Sequence, residues 1–227
     1  MSRVELKKWE QKYKGGEYTP NDSPSALLVE WLTHIPEGKA LDVACGLGRN
    51  ALFLAQRGFI VDAIDISAAG LAIARRKALE RGLAVNWIQA DLDSYNLPSQ
   101  SYDLIIDNFY LNRDLAPKMI ASLKPKGTLL FEHHLMFEGN AANGTGISIP
   151  SGHRTSTRAM RHAPSSPELW LKTGELLALF GRMEVLHYSE NPVMKEGKQI
   201  MLAQLVARKK NNSEGGAPND TGAVPKI

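Results

Sequence analysis

LDVACGLGRN, residues 41–50, joins a short apolar run, KALDV, to the apolar segment NALFLAQRG through a loop that carries Gly46 and Gly48. The run reads as a buried strand, and the segment after the loop as a helix that Gly58 closes at its C′ position. Glycines in such a loop let a ligand approach the backbone where a Cβ would collide, and the helix that follows turns its unpaired N–H groups toward that space. The stretch therefore reads as a nucleotide or cofactor cradle. A second apolar run, FIVDAID, ends in Asp65, a carboxylate placed to accept hydrogen bonds from ribose hydroxyls.

Gly46, Gly48 and Ala51 satisfy G-x-G-x-x-A, the dinucleotide fingerprint, with Asp65 beyond it, so NAD is one candidate ligand. Two details favour S-adenosylmethionine (SAM). Asp42 ends the first strand ahead of the loop, where a carboxylate reaches a cationic amino acid moiety that NAD does not possess. Asp91 ends the next apolar run, VNWIQAD, where it meets an adenine amino group. Three carboxylates at the ends of three successive strands are more than NAD needs.

LDVACGLGRNALFLAQRG, then Asp65, QADL, YDLIIDNFYL and LKPKGTLLFE, in that order, resemble the class I SAM-dependent methyltransferases over roughly residues 5 to 209. CGLGRNALFLA, LKTGELLALF and the ending QLVARKK resemble in particular the tellurite-resistance-type small-molecule methyltransferases. The resemblance implies a three-layer, doubly wound, mostly parallel α/β sheet of the class I methyltransferase Rossmann-like kind, with a C-terminal antiparallel hairpin. It carries cofactor-binding roles onto Asp42, Ala44, Gly46, Gly48, Asn50, Asp65, Ile66, Asp91, Leu92, Asp107 and Asn108. Ala44 stands where the family's D-x-G-x-G-x-G has its first glycine, a small replacement beside the methionine part of the cofactor.

The chain has 227 residues, 43% hydrophobic and 22% charged, enough for one sizeable core and one catalytic domain. No apolar run approaches the roughly 18 residues of a membrane span. The start, MSRVELKKWEQKYK, is charged and has no apolar core of a secretory signal, and the single Cys45 forms no internal disulfide. A cytoplasmic protein is the expectation. The net charge of +3 and pI of about 8.9 are too mild to argue for a nucleic-acid partner.

Residues 1–38 are expected to form a helical cap. Within it, RVELKKWEQKYK presents Leu6, Trp9 and Tyr13 on one side, either simply packed on the domain or as a lid over the cofactor with Tyr13 toward the substrate. SALLVEWLTHI reads as a second helix, ended by Pro36 and Gly38. Residues 39–209 alternate strand and helix, the pattern of βαβ units whose ligand sits at the carboxyl ends of the strands. Ser67 is a helix N-cap and Gly82 the stop of the same helix. RDLAPKMIASLKPKG reads as a helix ended by a turn at Pro125 and Gly127, and the last two strands, MEVLHYSEN and KQIMLAQLVARK, as a hairpin joined by NPVMKEG. Residues 210–227 read as a disordered tail.

Residues 139–168 form a long connection at the carboxyl end of the fifth strand, and between Glu138 and Glu168 no residue is acidic. Arg154, Arg158 and Arg161 recur at helical spacing there. The reading is a substrate-side basic loop, with Arg154 and Arg158 facing an anionic or electron-rich small molecule; a solvated loop is the plain alternative. His133 and His134 end the fifth strand and point to opposite faces, so they do not easily serve one site. Cys45 reads as a small buried hydrophobe. No metal site is expected and no catalytic residue is assigned, since in-line methyl transfer depends chiefly on alignment and exclusion of water. Asp107 and Asn108 are followed by Phe109 where nucleobase-amine methyltransferases carry D/N-P-P-Y, which favours a small-molecule acceptor over nucleic acid. A SAM-binding protein without catalysis shares the same motif set.

Overall fold

A computed structural model describes residues 3–15, 22–136, 167–195 and 198–211. The basic connection with Arg154 and Arg158, and nearly all of the expected tail, lie outside the described residues. The chain runs α1 (Arg3–Lys14), α2 (Ala26–Trp31), β1 (Lys39–Val43), α3 (Arg49–Gln56), β2 (Ile60–Asp65), α4 (Ala68–Glu80), β3 (Asn86–Gln89) and β4 (Tyr102–Asn108). It continues through α5 (Ala116–Ser122), β5 (Leu123–His134), α6 (Glu175–Phe180), β6 (Glu184–Lys195) and β7 (Lys198–Arg208).

The seven strands form one sheet in the order β3-β2-β1-β4-β5-β7-β6. β1 to β5 pair in parallel, while β7 runs antiparallel to both β5 and β6. Strand order reverses at β1 and β4, the position at which open α/β sheets bind ligands. Side-chain alternation builds a core on each face. Leu41, Val43, Ile105, Leu129, Phe131 and Leu205 pack toward Met119 of α5 and Leu176 and Phe180 of α6. Ala40, Leu104, Ile106, Leu130 and Val206 face Leu27 and Leu28 of α2, Leu54 of α3 and Leu71 of α4. The result is the expected three-layer arrangement, ended by an antiparallel hairpin.

Local signals fix the helix ends. After α3, Gly58 N–H donates to the Ala55 carbonyl and Phe59 N–H to that of Leu54. Gly82 and Leu83 repeat the pattern on Leu79 and Ala78 after α4, the paired bonds of a Schellman stop. Ser67 caps α4 by accepting from Gly70 N–H at 3.1 Å.

Three expectations are corrected. NPVMKEG is not a connection: β6 runs on through Pro192 to Lys195, which pairs with Lys198. β6 is the outermost strand, so proline's missing N–H costs no ladder bond on its open side. Pro125 and Gly127 do not precede β5 but lie within its first part. They still break the ladder there, since pairing jumps from Tyr102↔Leu123 to Leu104↔Thr128 and Lys126 has φ 64°. The helices are also shorter than their periodic segments, because α2 and α5 each share their segment with a 3₁₀ turn, at Leu32–His34 and Arg113–Leu115.

Polar stitches hold the strands in register at the end opposite the cradle. Asp62 on β2 accepts from Tyr102 Oη of β4 and from Asn86 Nδ2 of β3, each at 2.8 Å, and pairs with Lys39 Nζ of β1 at 2.9 Å. Burial alone would raise the Asp62 carboxyl, but these donors hold it below the usual carboxylate range. Tyr102→Phe is expected to lower unfolding stability by about 1.5–3 kcal/mol, the range for a hydrogen bond to a charged group, as read from urea denaturation midpoints.

Candidate functional site

The carboxyl ends of β1, β2 and β4 meet at the loop of residues 44–48. Its backbone has φ 49° at Ala44, 55° at Gly46 and 75° at Gly48, and Cys45 and Leu47 are not in that region. Alternation of this kind turns successive N–H groups toward one concavity. Ala44 is an L-residue in left-handed geometry, a strain of about 1 kcal/mol that a glycine would relieve.

Carboxylates surround the concavity. Asp65 accepts Gly46 N–H on Oδ2 and Ser67 N–H on Oδ1, both at 2.8 Å, and is 7% exposed. Burial raises its carboxyl, the Ser67 and Gly46 donors oppose this, and Glu10 adds to it. Asp42, 2% exposed, accepts Ala51 N–H of the first turn of α3 at 2.9 Å. Burial pushes it up to about 7, against the Ala51 donor and the Arg49 charge and with help from Asp65. Asp107 is 1% exposed. Its Oδ1 accepts Tyr110 N–H at 3.2 Å, while its Oδ2 has no hydrogen-bond partner among the described residues. Burial holds that carboxyl well above its ordinary range, opposed by Tyr110 and reinforced by Asp42. A buried, unsatisfied carboxylate oxygen is costly unless a donor or a cation completes it.

α1 closes the other side. Glu10 accepts from Ser67 Oγ at 2.9 Å and from Ala69 N–H at 3.1 Å, so a carboxylate from α1 sits on the N-terminus of α4. Burial would raise it, but these donors and Lys14 hold its carboxyl below the usual range. Tyr13 follows one turn on. A Cβ built on Gly46 would stand 2.9 Å from the Tyr13 hydroxyl oxygen, and one on Gly70 3.0 Å from its ring. At Gly48 the space belongs to Trp87 and Ala74. Both loop glycines thus make room for protein side chains as well as shaping the concavity.

The remaining residues take varied positions. Asn50 is buried with Oδ1 accepting Ser25 N–H at 2.9 Å, which ties α3 to the start of α2. Ile66 is half-buried beside Asp65 and Leu92 is buried. Asp91, half-buried, accepts Asp93 N–H at 3.0 Å. Asn108 bridges Arg49, through its Oδ1, and Glu132, through Nδ2 at 2.9 Å. Cys45 is buried, with burial driving its thiol well above the usual value, as a packing residue requires. Glu10 and Arg49 also belong to the site, and their partners lie 57 and 59 residues away in sequence. No spacing rule reports such pairs.

The donor set fits an adenosyl cation. Carboxylates end β1, β2 and β4, a backbone concavity lies between them, and an unpartnered buried oxygen calls for a cationic group. A methyltransferase domain model matches residues 40–127. The ubiquinone biosynthesis O-methyltransferase of Saccharophagus degradans is 32% identical over 198 residues, 81% of this chain and 81% of that protein. The probable S-adenosyl-L-methionine-dependent methyltransferase TehB of Haemophilus influenzae is 24% identical over 76% of this chain and 57% of that protein. Its crystal structure superposes with a TM-score of 0.66 at 20% identity, covering 88% of this chain and 67% of the other, a likeness of fold. The chain spans 30% of the length of an uncharacterized protein of Mycoplasma genitalium, to which it is 30% identical over 138 residues.

A carboxyl raised on folding keeps its proton in the native state while the unfolded chain releases it. The empty protein therefore loses stability as pH rises from about 4, the unfolded value for an aspartate, to about 7, where Asp42 ionises in the fold. Asp42→Asn is expected to flatten this part of the stability–pH curve, measured by urea unfolding at several pH values; an unchanged slope would show that Asp42 is ionised throughout.

Proposed function

This chain belongs to the class I SAM-dependent methyltransferases, and on that premise we propose that it transfers the methyl group of SAM to a small-molecule acceptor held at the tips of β4 and β5. The convergence of Asp42, Asp65 and Asp107 on the loop of residues 44–48 carries the reading. In it Asp65 holds the ribose hydroxyls, while Asp42 and Asp107 face the cationic methionine end beside Ala44, Gly46, Gly48 and Asn50. Ile66 and Leu92 flank the adenine, with Asp91 at its amino group, and Asn108 fixes the β4 tip. SAM supplies a methyl carbon already activated by its sulfonium. The chain's part is to align the acceptor and keep water out, and alignment alone contributes up to about 7–11 kcal/mol in favourable cases.

α1 supports the exclusion of water, since Glu10 anchors it to α4 and Tyr13 lies over Gly46 and Gly70. Tyr13 then borders the acceptor, and the positive charge of Arg154 and Arg158, which lie outside the described residues, suits an anionic one. The name of one relative, an O-methyltransferase, supports an oxygen acceptor, and the resemblance to tellurite-resistance-type methyltransferases supports a chalcogen one, so oxygen and chalcogen nucleophiles are the acceptor classes. A nucleobase amine is disfavoured by the tip of β4, where Asn108 is engaged by Arg49 and Glu132 and Phe109 and Tyr110 replace paired prolines. Cytoplasmic residence fits this reading, and among the described residues no helix is long and apolar enough to cross a membrane.

Two measurements test the proposal. Isotope-labelled SAM incubated with a panel of phenols, thiols, selenite and tellurite is expected to label at least one acceptor; tight SAM binding with transfer to none would make the protein a SAM sensor. Asp65→Ala is expected to weaken SAM binding by about 1–3 kcal/mol through loss of a charged hydrogen-bond acceptor, read by calorimetry. Wild-type affinity in that variant would remove Asp65 from the site.

A further inference from the structure

The tips of β4 and β5 carry side chains that the cofactor roles leave unused. Asp107 pairs with Phe131 in the β4–β5 register, and alternation puts His133 on the same face, one step nearer the tip. His133 is 3% exposed. Its Nδ1 lies 3.2 Å from the His134 carbonyl oxygen. A carbonyl only accepts, so Nδ1 carries the proton and Nε2 keeps its lone pair.

Rings enclose this imidazole pair. Phe109, the first residue past β4, is held at φ 69°, strained geometry for a bulky side chain and of a kind that gathers at functional sites. Its ring centroid lies 6.4 Å from that of His133 and 4.9 Å from that of His134. Trp170 packs on the other imidazole of the pair, 5.6 Å from His134. Arg113 fixes the segment that bears it, pairing with Glu175 and donating to the carbonyls of Glu168 and Trp170. An apolar, ring-lined wall beside a lone pair suits a flat aromatic molecule with an acidic hydroxyl.

We infer that His133 accepts the proton of a neutral phenol seated against Phe109, an inference that rests on the methyltransferase reading above. The phenol oxygen bonds to the methyl carbon as the carbon–sulfur bond of the donor breaks. The O–H proton passes to Nε2 of His133, and a methyl ether and a neutral thioether remain. Burial holds the His133 imidazole at about 4, against the pull of the His134 carbonyl and Glu175 and with the push of Arg113, so it is neutral at physiological pH. A weak base suffices because the hydroxyl grows strongly acidic as the new bond forms.

His133→Asn keeps a donor for the His134 carbonyl and removes Nε2; His133→Gln places an amide near Nε2 without basicity. Each variant is compared with wild type at about pH 8, where phenol, like a tyrosine hydroxyl, stays protonated and 4-nitrophenol is largely ionised. The rate with phenol is expected to fall about 10²–10⁴-fold, the usual worth of general base catalysis, and that with 4-nitrophenol less than about tenfold. In wild type loaded with S-adenosylhomocysteine, phenol is expected to shift the His133 Nε2 resonance in ¹⁵N NMR. Equal losses on both acceptors, or an unmoved resonance, would make His133 a packing residue and overturn the inference. Transfer to thiols or oxyanions but to no phenol would overturn it while leaving the methyltransferase proposal standing; transfer to nothing would bring down both.

Discussion

The hydrogen bond from Gly46 N–H to Asp65 Oδ2 is the constraint on which the site depends. It folds the loop after β1 back onto the tip of β2, next to the Cys45 N–H bond to the Ile64 carbonyl, so that two parallel strands end in one shared turn of backbone. The carboxylate at the end of β2 takes that N–H on one oxygen and the Ser67 N–H on the other. With the loop so placed, α3 starts where Asp42 reaches its first turn, and α4 starts where Glu10 and Ser67 meet.

The cost of this arrangement is electrostatic. Asp42, Asp65 and Asp107 are all buried, and each carboxyl is raised by burial. Backbone N–H groups compensate in part, but Asp107 keeps an unpartnered oxygen among the described residues. A site that is short of positive charge when empty is matched to a cationic ligand, and SAM brings both an ammonium and a sulfonium. Strain at Ala44 and Phe109 falls at the two ends of the same region, as expected where binding geometry takes precedence over stability.

Around the site the fold is stiffened by side chains that cross strands. Asn108, Glu132, Gln204 and Ser189 occupy directly paired positions on β4, β5, β7 and β6 and are joined by hydrogen bonds in that order. Arg49 extends the line to α3. The antiparallel hairpin is thereby coupled to the β4 tip, where the acceptor is proposed to lie. Arg113 does the same for the segment that carries Trp170.

The sequence by itself determined the alternating strands and helices, the cradle at residues 44–48, the Ser67 cap, the Gly58 and Gly82 stops and the closing hairpin. These are written in neighbouring residues: periodicity, caps and turn chemistry act over a few positions, and local geometry is enough to read them. Only the tertiary structure decided that β6 runs through Pro192, since an edge strand tolerates what a central one does not. It alone set Glu10 on α4, Arg49 on Asn108 and Phe109 against the histidines. Those contacts join residues far apart in the chain, and their existence depends on how whole layers settle against one another. The Asp42, Asp65 and Asp107 positions were legible as strand ends; their burial, and with it their raised affinity for protons, came from the packing of both faces of the sheet.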